Sequence, residues 1–280
     1  MNQIQLVSQL HKYIKNAKSE NKSIGFIPTM GYLHEGHESL INQSKKENDV
    51  TIVSIYVNPI QFNNQNDYEK YPRNINADVI RLKKLNCEIL FHPDDQEITN
   101  LPKPNVKIKF NNLKRILEAK MRPGHFDGVI TIVTKLFEII RPNKAYFGEK
   151  DLQQLFIIQK LCAEKYKNIE IIECPTIREP NGLAKSSRNK HLDIINFNLA
   201  SNIYKVLKFT KKNIKFLGVQ KTKEHVIKYL NNLGGINLEY FEIINSESFS
   251  FTNVINSNNI YYGVIAVKIN NIRLIDNIKL

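Results

Sequence analysis

The chain has 280 residues, of which 42% are hydrophobic and 24% are charged, as is ordinary for a globular protein with one large or two modest domains. No apolar run approaches the roughly 18 residues that a membrane-spanning helix needs, so we expect no membrane partner. The N-terminal residues lack the apolar core of a secretory signal. The three cysteines, Cys87, Cys162 and Cys174, are odd in number and far apart, which indicates reduced thiols in a cytoplasmic protein.

The net charge is +13, from 40 Lys and Arg against 27 Asp and Glu, and such a surplus attracts polyanions. Nucleic-acid binding is one interpretation of this charge. However, five lysines recur at helical spacing without the aromatic motif of an RNA-binding sheet: Lys205, Lys208, Lys211, Lys212 and Lys215. This pattern is typical of a solvated helix face, so we expect no nucleic-acid partner.

The first strand-turn-helix unit carries the most distinctive stretch of the chain. Residues 23–27 indicate a short buried strand, Pro28 and Gly31 mark its exit, and residues 38–46 favour a helix. The first N–H groups of a helix have no intrahelical partner, and the helix dipole attracts negative charge. The turn at residues 28–37 is therefore a candidate site for a phosphate or a carboxylate.

Within this turn, His34 and His37 are three residues apart and are expected on one face of the first helical turn. A zinc protease requires His-Glu-x-x-His, and His34-Glu35-Gly36-His37 is one residue short of it, which disfavours a metal site. Two alternatives remain: the histidines cap the helix start, or they donate hydrogen bonds to the phosphate oxygens of a nucleotide. The proline and two glycines beside them favour a binding site.

The alternation of strand and helix continues downstream. A β-branched run at residues 49–57 predicts a central parallel strand, followed by a helix at 76–85 and a strand at 87–91. Asn58 and Gln61 follow the first of these strands at its carboxyl end, where open α/β sheets bind ligands. Their neutral amides suit a polar substrate, although such residues more often form hydrogen bonds within their own turn.

The next segment is less regular. Residues 100–110 contain two prolines and predict a loop with a short edge strand, and residues 113–121 predict a helix. Arg122-Pro123-Gly124-His125-Phe126 then predicts a tight corner before an apolar helix at residues 129–140. The composition of this corner suggests a functional loop.

A second strand-glycine-helix unit follows. Residues 145–147 predict a strand, and Gly148-Glu149-Lys150-Asp151 lead to a helix at 152–166. Lys150 offers a compact cation to a phosphate, but the spacing is not the Gly-x-x-x-x-Gly-Lys-Ser/Thr of a P-loop.

Two neighbouring glutamines, Gln153 and Gln154, lie in the first turn of that helix; we expect one to face the ligand crevice and the other to face solvent. A strand at residues 169–174 completes this half of the chain. The pattern predicts an α/β fold: a doubly wound, Rossmann-like parallel sheet in a nucleotide- and substrate-binding domain at residues 1–177.

The rest of the chain changes architecture. Residues 178–189 are polar, contain Pro and Gly, and predict a connection between two domains. Within them, Lys185-Ser186-Ser187-Arg188 concentrates two cations and two hydroxyls that suit a triphosphate or its leaving pyrophosphate. Helices are predicted at 196–217 and 222–233, and strands at 238–244, 260–269 and 272–275. We predict a smaller, lid-like α+β domain at residues 178–280 with a hairpin turn at Asn270-Asn271.

Seven short motifs occur in the order in which similar motifs occur in one enzyme family. They are Pro28-Thr29-Met30-Gly31, His34-Glu35-Gly36-His37, Asn58-Pro59-Ile60-Gln61-Phe62, Tyr71-Pro72-Arg73, Arg122-Pro123-Gly124-His125-Phe126, Phe147-Gly148-Glu149-Lys150-Asp151 and Ser186-Ser187-Arg188-Asn189. Over nearly its whole length the chain resembles the pantothenate synthetases, which are pantoate:β-alanine ligases of the nucleotidylyltransferase superfamily with its His-x-Gly-His signature.

The resemblance implies an AMP-forming ligase of coenzyme A precursor synthesis. Such an enzyme condenses (R)-pantoate with β-alanine to pantothenate through a pantoyl adenylate, uses ATP with Mg²⁺, and releases AMP and pyrophosphate. The resemblance also implies a homodimer whose smaller domain closes over ATP.

The resemblance further implies roles for individual residues, with His37 as the proton donor. The implied catalytic set is His37, His34, Lys150, Ser186, Ser187 and Arg188. Pantoate would be held by Gln61 and Gln154, and Gln61 would also contact β-alanine. The implied ATP-binding set is Met30, Gly31, Tyr32, Leu33, His34, Glu35, Gly36, His37, Gly148, Glu149, Lys150, Asp151, Ile177, Lys185, Ser186, Ser187 and Arg188.

Three positions depart from the family pattern. Lys185 stands where Met or Leu is common, Leu152 where an aromatic residue is common, and Ala119 where glycine is common. The added cation of Lys185 either tightens phosphate binding or points to solvent.

Two questions stay open at this stage. The metal ligands are unknown, and Asp78 is one of several candidate carboxylates. A nucleotidylyltransferase that transfers AMP or CMP to a phosphorylated acceptor would share His-x-Gly-His, but it would not explain the neutral amides of Asn58, Gln61 and Gln154.

Overall fold

The computed structural model describes residues 1–280, and a six-stranded parallel sheet organises the N-terminal part. Its strands are β1 (Asn2–Ile4), β2 (Ile24–Thr29), β3 (Val50–Ile55), β4 (Ile89–Phe91), β5 (Lys144–Gly148) and β6 (Glu170–Cys174). Their order is β1-β4-β3-β2-β5-β6, and every neighbouring pair is parallel. Because the order reverses between β2 and β5, the sheet is doubly wound, and the predicted Rossmann-like fold is confirmed.

Eight helices connect and flank these strands. They are α1 (Val7–Ser19), α2 (Glu35–Glu47), α3 (Gln65–Lys70), α4 (Ile75–Lys84), α5 (Asp95–Thr99), α6 (Glu118–Met121), α7 (His125–Ile140) and α8 (Leu152–Lys165). No residue of β2 or β3 is exposed, because both strands lie in the middle of the sheet. This explains the continuous apolar runs in their sequences, and burial of each Val or Ile contributes about 1.5–3 kcal/mol.

Adjacent strands β2 and β5 place two loops at the same edge of the sheet. They pair in parallel at Gly25 with Lys144 and at Phe26 with Ala145. The chain therefore leaves β2 at Thr29 and β5 at Gly148 on the edge where doubly wound sheets bind ligands.

Three local predictions in this part are wrong in detail: the end of the first strand at Pro28, the edge strand within residues 100–110, and the helix at residues 113–121. Pro28 continues β2 instead of ending it, and it lies beyond the part of β2 that pairs with β5, which stops at Phe26. No strand forms at residues 100–110, where Pro102 and Pro104 lack the N–H that a sheet ladder needs. The edge strands of the sheet are β1 and β6, and β1 has only three residues, too few to be recognised from sequence.

The helix predicted at residues 113–121 is also interrupted. A 3-10 turn at Asn111–Lys114 and the short helix α6 replace it. Leu117 lies between them with φ of 52°, a left-handed conformation that no α-helix accommodates.

The C-terminal part contains an antiparallel sheet and one long interrupted helix. The helix is α9 (Ile194–Leu233), and the strands are β7 (Asn237–Asn245), β8 (Ser250–Phe251), β9 (Tyr261–Ile269) and β10 (Ile272–Lys279), in the order β10-β9-β7-β8. Gly218 has φ of 76° and ψ of 169°, so α9 breaks between the two predicted helices. Apolar residues of α9, such as Leu207 and Val226, pack with strand residues such as Ile265 in one buried core.

The hairpin between β9 and β10 confirms a prediction from local chemistry. Ile269 pairs with Ile272, which leaves Asn270 and Asn271 as a two-residue loop. Both asparagines have positive φ, at 46° and 63°, as a tight hairpin turn requires.

The chain separates into two compact units. The first comprises Met1–Glu149 and Gln153–Pro175, and the second comprises Lys150–Leu152 and Thr176–Leu280. The boundary between residues 177 and 178 stays a prediction, and the grouping of Lys150–Leu152 with the C-terminal unit has no signal in the sequence. None of the helices is both long and apolar enough to cross a membrane.

Candidate active site

Two histidines cap the start of α2. The His34 Nδ1 accepts a hydrogen bond from the Gly36 N–H at 3.1 Å, and the His37 Nδ1 accepts one from the His34 N–H at 3.2 Å. His34 is the N-cap residue, with extended backbone, and the two rings lie 4.1 Å apart between centroids. Two N–H groups that the helix leaves unpaired are thus satisfied by imidazole nitrogens.

This geometry determines which nitrogen of each ring carries the proton. An Nδ1 that accepts a hydrogen bond has no hydrogen, so a neutral ring carries its hydrogen on Nε2. His34 and His37 are half-buried, and each is held as an Nε2–H donor. The capping and donor alternatives of the sequence are therefore compatible, because each uses a different nitrogen.

The turn before the helix has an unusual backbone that a distant carboxylate holds. Gly31 and Tyr32 both have positive φ, at 80° and 52°. The Tyr32 and Leu33 N–H groups donate to the two carboxylate oxygens of Asp78 at 2.8 and 2.7 Å. A Cβ at residue 31 would lie 2.9 Å from the Ile55 Cγ2, so the position requires glycine for both space and conformation.

Asp78, one of the candidate metal ligands, binds the backbone of this turn. It is 3% exposed, and each of its carboxylate oxygens accepts a backbone N–H of the turn. Burial raises the pKa of the Asp78 carboxyl, while the hydrogen bonds from Leu33 and Tyr32 oppose that increase. The structure contains no group of three or more His, Cys, Asp or Glu residues that could hold a metal ion.

A signal for Asp78 was present in the sequence. Asp78 and Leu82, four residues apart, are the two buried residues of α4. A carboxylate on the apolar face of an amphipathic helix is rare unless it has a partner. Its position therefore indicated a buried acceptor, although not which donors it serves.

Gln61 lies in a 3-10 turn after β3, close to the His34 turn. Asn58 and Gln61 are buried, and the Asn58 Nδ2 donates to the Gln61 Oε1 at 3.2 Å and to the Gly128 carbonyl at 3.1 Å. The Gln61 Nε2 donates to the Met30 Sδ at 2.8 Å. Because a thioether is a weak acceptor, a ligand oxygen would replace it at little cost.

Residues 122–128 contact the backbone of Gln61. The His125 Nδ1 donates to the Gln61 carbonyl at 2.8 Å, and the His125 Nε2 accepts from the Arg122 Nη1 at 3.1 Å. A Cβ at Gly128 would lie 2.7 Å from the Gln61 Cα, so α7 packs directly on the Gln61 backbone. This motif therefore positions Gln61.

Gln153 does not face solvent, so one expectation about the neighbouring glutamines is wrong. Its Nε2 donates to the Leu113 and Ile116 carbonyls at 2.8 and 2.9 Å, and its Oε1 accepts from the Glu118 N–H at 3.0 Å. The Gln153 side chain is 5% exposed. Its hydrogen bonds connect both parts of the irregular segment at residues 113–121, for which the sequence predicted one helix. Gln154 is half-buried.

In the second unit, residues 177–185 fold back as a short antiparallel loop. The Lys185 N–H donates to the Ile177 carbonyl at 2.9 Å, and Arg178 bridges to Ala184. The Lys185 Nζ lies 2.9 Å from the Glu179 carboxylate. The expected connection is thus an ordered loop, and Lys185 pairs with an acidic residue of that loop.

A 3-10 turn at Ser187–His191 follows this loop. The Ser186 Oγ accepts a hydrogen bond from the Arg188 N–H at 3.3 Å, and Ser187 is buried. Lys150, also in the second unit, lies 3.6 Å from the Asp151 carboxylate. Of the predicted site residues, the first unit contains Met30 to His37, Gln61, Gly148, Glu149 and Gln154, and the second contains Lys150, Asp151, Ile177 and Lys185 to Arg188.

Comparison with known proteins identifies the family. The family model described as pantoate-beta-alanine ligase matches residues 2–279. The chain is 44% identical over 279 residues to the pantothenate synthetase of Azobacteroides pseudotrichonymphae, with 98% of each chain covered. It is 40% identical over 277 residues to that of Thermotoga petrophila, again with 98% of each chain covered. The chain belongs to the pantoate-β-alanine ligase family.

Solved structures agree with this assignment. The pantothenate synthetase from Thermus thermophilus matches with a TM-score of 0.90 at 31% identity and 99% coverage of each chain. The pantoate-β-alanine ligase from Francisella tularensis, complexed with β-γ ATP and β-alanine, matches with a TM-score of 0.80 at 39% identity, covering 99% of this chain and 97% of that one. The expected ligase activity, the ATP-dependent condensation of pantoate with β-alanine, is thereby confirmed.

Proposed function

We propose that this pantoate-β-alanine ligase works in two steps. The pantoate carboxylate attacks the α-phosphorus of ATP, and pyrophosphate leaves. The amine of β-alanine then attacks the carbonyl carbon of pantoyl adenylate, AMP leaves, and the amine loses its proton to form the amide. Both nucleophiles come from the substrates, so the protein has to align them and to stabilise charge on phosphate oxygens.

The observation that carries this proposal is the pair of imidazoles fixed as neutral donors at the start of α2. The Nε2–H groups of His34 and His37 donate to phosphate oxygens, and the Nδ1 atoms keep the rings oriented through the backbone. His37, the proton donor that the family resemblance implies, acts in the first step through the hydrogen bond that its Nε2–H donates to the phosphate. One side of the ATP site is formed by eight consecutive residues: Met30, Gly31, Tyr32, Leu33, His34, Glu35, Gly36 and His37.

Gln61 and Gln154 hold pantoate, and Gln61 also contacts β-alanine. The buried amide of Gln61 is positioned by Asn58 through its side chain and by His125 through its carbonyl. A neutral amide suits a hydroxy acid because it recognises hydroxyl and carboxylate oxygens without neutralising the carboxylate that must attack. A group fixed in this way loses little freedom on binding.

Further contacts with the nucleotide come from residues of the loops after β5 and β6. Lys150, Ser186, Ser187 and Arg188 act on the phosphates, and Gly148, Glu149, Asp151, Ile177 and Lys185 line the nucleotide. The ion pair with Glu179 cancels most of the added charge of Lys185. Lys150 and Arg188 therefore supply the cationic stabilisation of the leaving pyrophosphate.

Mg²⁺ is part of the substrate, Mg-ATP, in this proposal. An ion of this kind usually keeps several waters and is held by phosphates with one or two carboxylates. A homodimer and a cytoplasmic location are also proposed; the three free, buried cysteines support a reducing compartment.

The experiment is isotope exchange between pyrophosphate and ATP. We expect exchange that depends on pantoate and needs no β-alanine, and stoichiometric AMP once β-alanine is added. Failure of pantoate to drive exchange would remove the adenylation step. Exchange driven by a phosphorylated acceptor in place of pantoate would identify the enzyme as a nucleotidylyltransferase of the alternative kind.

A further inference from the structure

The second unit contains a buried cluster that joins three distant parts of its sequence. Lys150–Leu152 and the chain from Thr176 onwards are separate segments of this unit. Lys150 and Arg178 each form a hydrogen bond with one of two adjacent residues of β10: Lys150 with Asn277, and Arg178 with Asp276. Asp276 and Asn277 are 3% and 8% exposed. The cluster therefore anchors Lys150 and the start of the loop at residues 177–185 to one strand.

The first contact is a buried ion pair. The Arg178 guanidinium donates to both oxygens of Asp276, at 2.6 and 3.0 Å, and the Asp276 side chain is 1% exposed. Arg178 also donates to the Gly182 carbonyl at 3.2 Å, and its guanidinium lies 3.8 Å from the centroid of the Tyr204 ring. Arg178 thus has acceptors on two sides and an aromatic face, and its charge is neutralised by Asp276.

The second contact reaches Lys150. The Asn277 Nδ2 donates to the Lys150 carbonyl at 3.1 Å, and the Asn277 N–H donates to the Asp276 Oδ1 at 2.8 Å. The Asn277 carbonyl lies 3.5 Å from the Arg178 Nη2. One residue therefore connects the Lys150 backbone to the ion pair that fixes the start of the 177–185 loop.

We propose that Asn277 is a positioning residue that holds Lys150 in register with Ser186, Ser187 and Arg188. The inference rests on the proposed function, in which these four residues act on the phosphates of ATP. Because Lys150 has a long flexible side chain, the position of its backbone decides where its ammonium group can reach. Asn277 does this without adding a net charge, since the Asp276 carboxylate beside it is already paired with Arg178.

The test is a double-mutant cycle with Asn277→Leu and Lys150→Ala, measured by pantoate-dependent pyrophosphate exchange and normalised to folded enzyme. For variants too slow to assay, the affinity for a non-hydrolysable ATP analogue replaces the rate. We expect Asn277→Leu alone to lower kcat/KM for ATP about ten- to a hundredfold, as a displaced catalytic group does. In the Lys150→Ala background the same change should have almost no further effect.

Asn202 provides the matched control. It is a buried asparagine of the same unit, 7% exposed, and its Nδ2 donates to the Leu199 carbonyl at 2.8 Å. Its Oδ1 also accepts from the Tyr229 hydroxyl at 2.9 Å, so Asn202→Leu removes two hydrogen bonds of a buried asparagine that has no hydrogen bond with Lys150. We expect it to lower the melting temperature, because buried hydrogen bonds are lost, while leaving kcat/KM for ATP within about threefold of the wild type.

The outcomes separate the two proposals. Effects of Asn277→Leu and Lys150→Ala that multiply, or an Asn277→Leu effect no larger than that of Asn202→Leu, would overturn the positioning role. If Asn277→Leu does not fold, Asn277→Ala replaces it in the same cycle with the same criteria. Absence of pantoate-driven exchange in the wild type would instead refute the proposed function.

Discussion

The turn that carries His34 and His37 and the loop that carries Lys185 hold their functional groups by different kinds of interaction. The first uses hydrogen bonds to the backbone: each Nδ1 accepts a backbone N–H, and the Asp78 carboxylate accepts two more. The second uses ion pairs, from Lys185 to Glu179 and from Arg178 to Asp276. Residues 28–37 contain no Lys or Arg, whereas residues 185–188 contain two.

The two regions suit different tasks: the histidine turn suits alignment of the substrate, and the cations of the loop suit neutralisation of its negative charge. Neutral donors fixed by the backbone act at hydrogen-bond range and depend on geometry, and salt affects them little. Lysine and arginine act over longer distances, and salt screens them beyond about 8–10 Å at physiological ionic strength. We therefore expect the histidine turn to determine how the reacting phosphate is oriented and the cations to determine how well negative charge is tolerated.

The largest effect that tests this comparison is expected at His37. His37→Ala removes both the donor and the cap, and we expect turnover to fall at least about 10²-fold, the usual scale for acid-base and oxyanion-type groups. The melting temperature should also fall, because loss of a capping side chain costs about 0.5–2 kcal/mol. Steady-state turnover and thermal unfolding measure the two effects separately.

His37→Gln is the control that separates donor from cap. A glutamine at the third helical position can reach back to the N–H of the N-cap residue, as in a capping box. We expect His37→Gln to recover most of the melting temperature and little of the turnover. Wild-type turnover in this variant would show that the imidazole serves the helix alone.

The second prediction concerns Asp78, which fixes the turn before α2. Asp78→Ala leaves the Tyr32 and Leu33 N–H groups without their acceptor, at a cost of about 1–3 kcal/mol for each buried donor. Without these hydrogen bonds Tyr32 is no longer held at positive φ, and the His34 and His37 rings lose their position. We expect kcat/KM for ATP to fall about tenfold or more, measured by pyrophosphate exchange on enzyme shown to be folded.

Asp78→Asn sharpens this test because it keeps one oxygen acceptor at the same place. Its amide NH₂ faces the other N–H, so activity should lie between that of the wild type and that of Asp78→Ala. An Asp78→Ala enzyme that has lost stability but keeps its kcat/KM for ATP would limit Asp78 to folding.

What the sequence could predict follows the range of each interaction. The two asparagines of the β9–β10 turn and the histidines of the α2 cap act on neighbouring residues. Local chemistry predicted the hairpin turn and gave the cap as one of two alternatives. Asp78, by contrast, lies 46 residues from Tyr32, and Asn277 lies 127 residues from Lys150. Such partners become neighbours only through the packing of the fold, so the resemblance to a family predicted site residues but not the residues that contact them.

The smallest effect is expected at Lys185, where the comparison is most easily broken. The Lys185 and Glu179 side chains are 18% and 20% exposed, and an ion pair of this kind contributes about 1 kcal/mol or less. We expect Lys185→Met to raise KM for ATP less than about tenfold, because it leaves Glu179 as an uncompensated negative charge in the loop. Glu179→Gln should lower KM for ATP slightly at low salt by releasing the cation, and the double variant should lie close to the wild type.

All three differences should shrink as salt rises, whereas the effect of His37→Ala should not. A double variant as impaired as Lys150→Ala would mean that Lys185 acts on the phosphates directly, and the charge of this loop would then serve binding as well as folding.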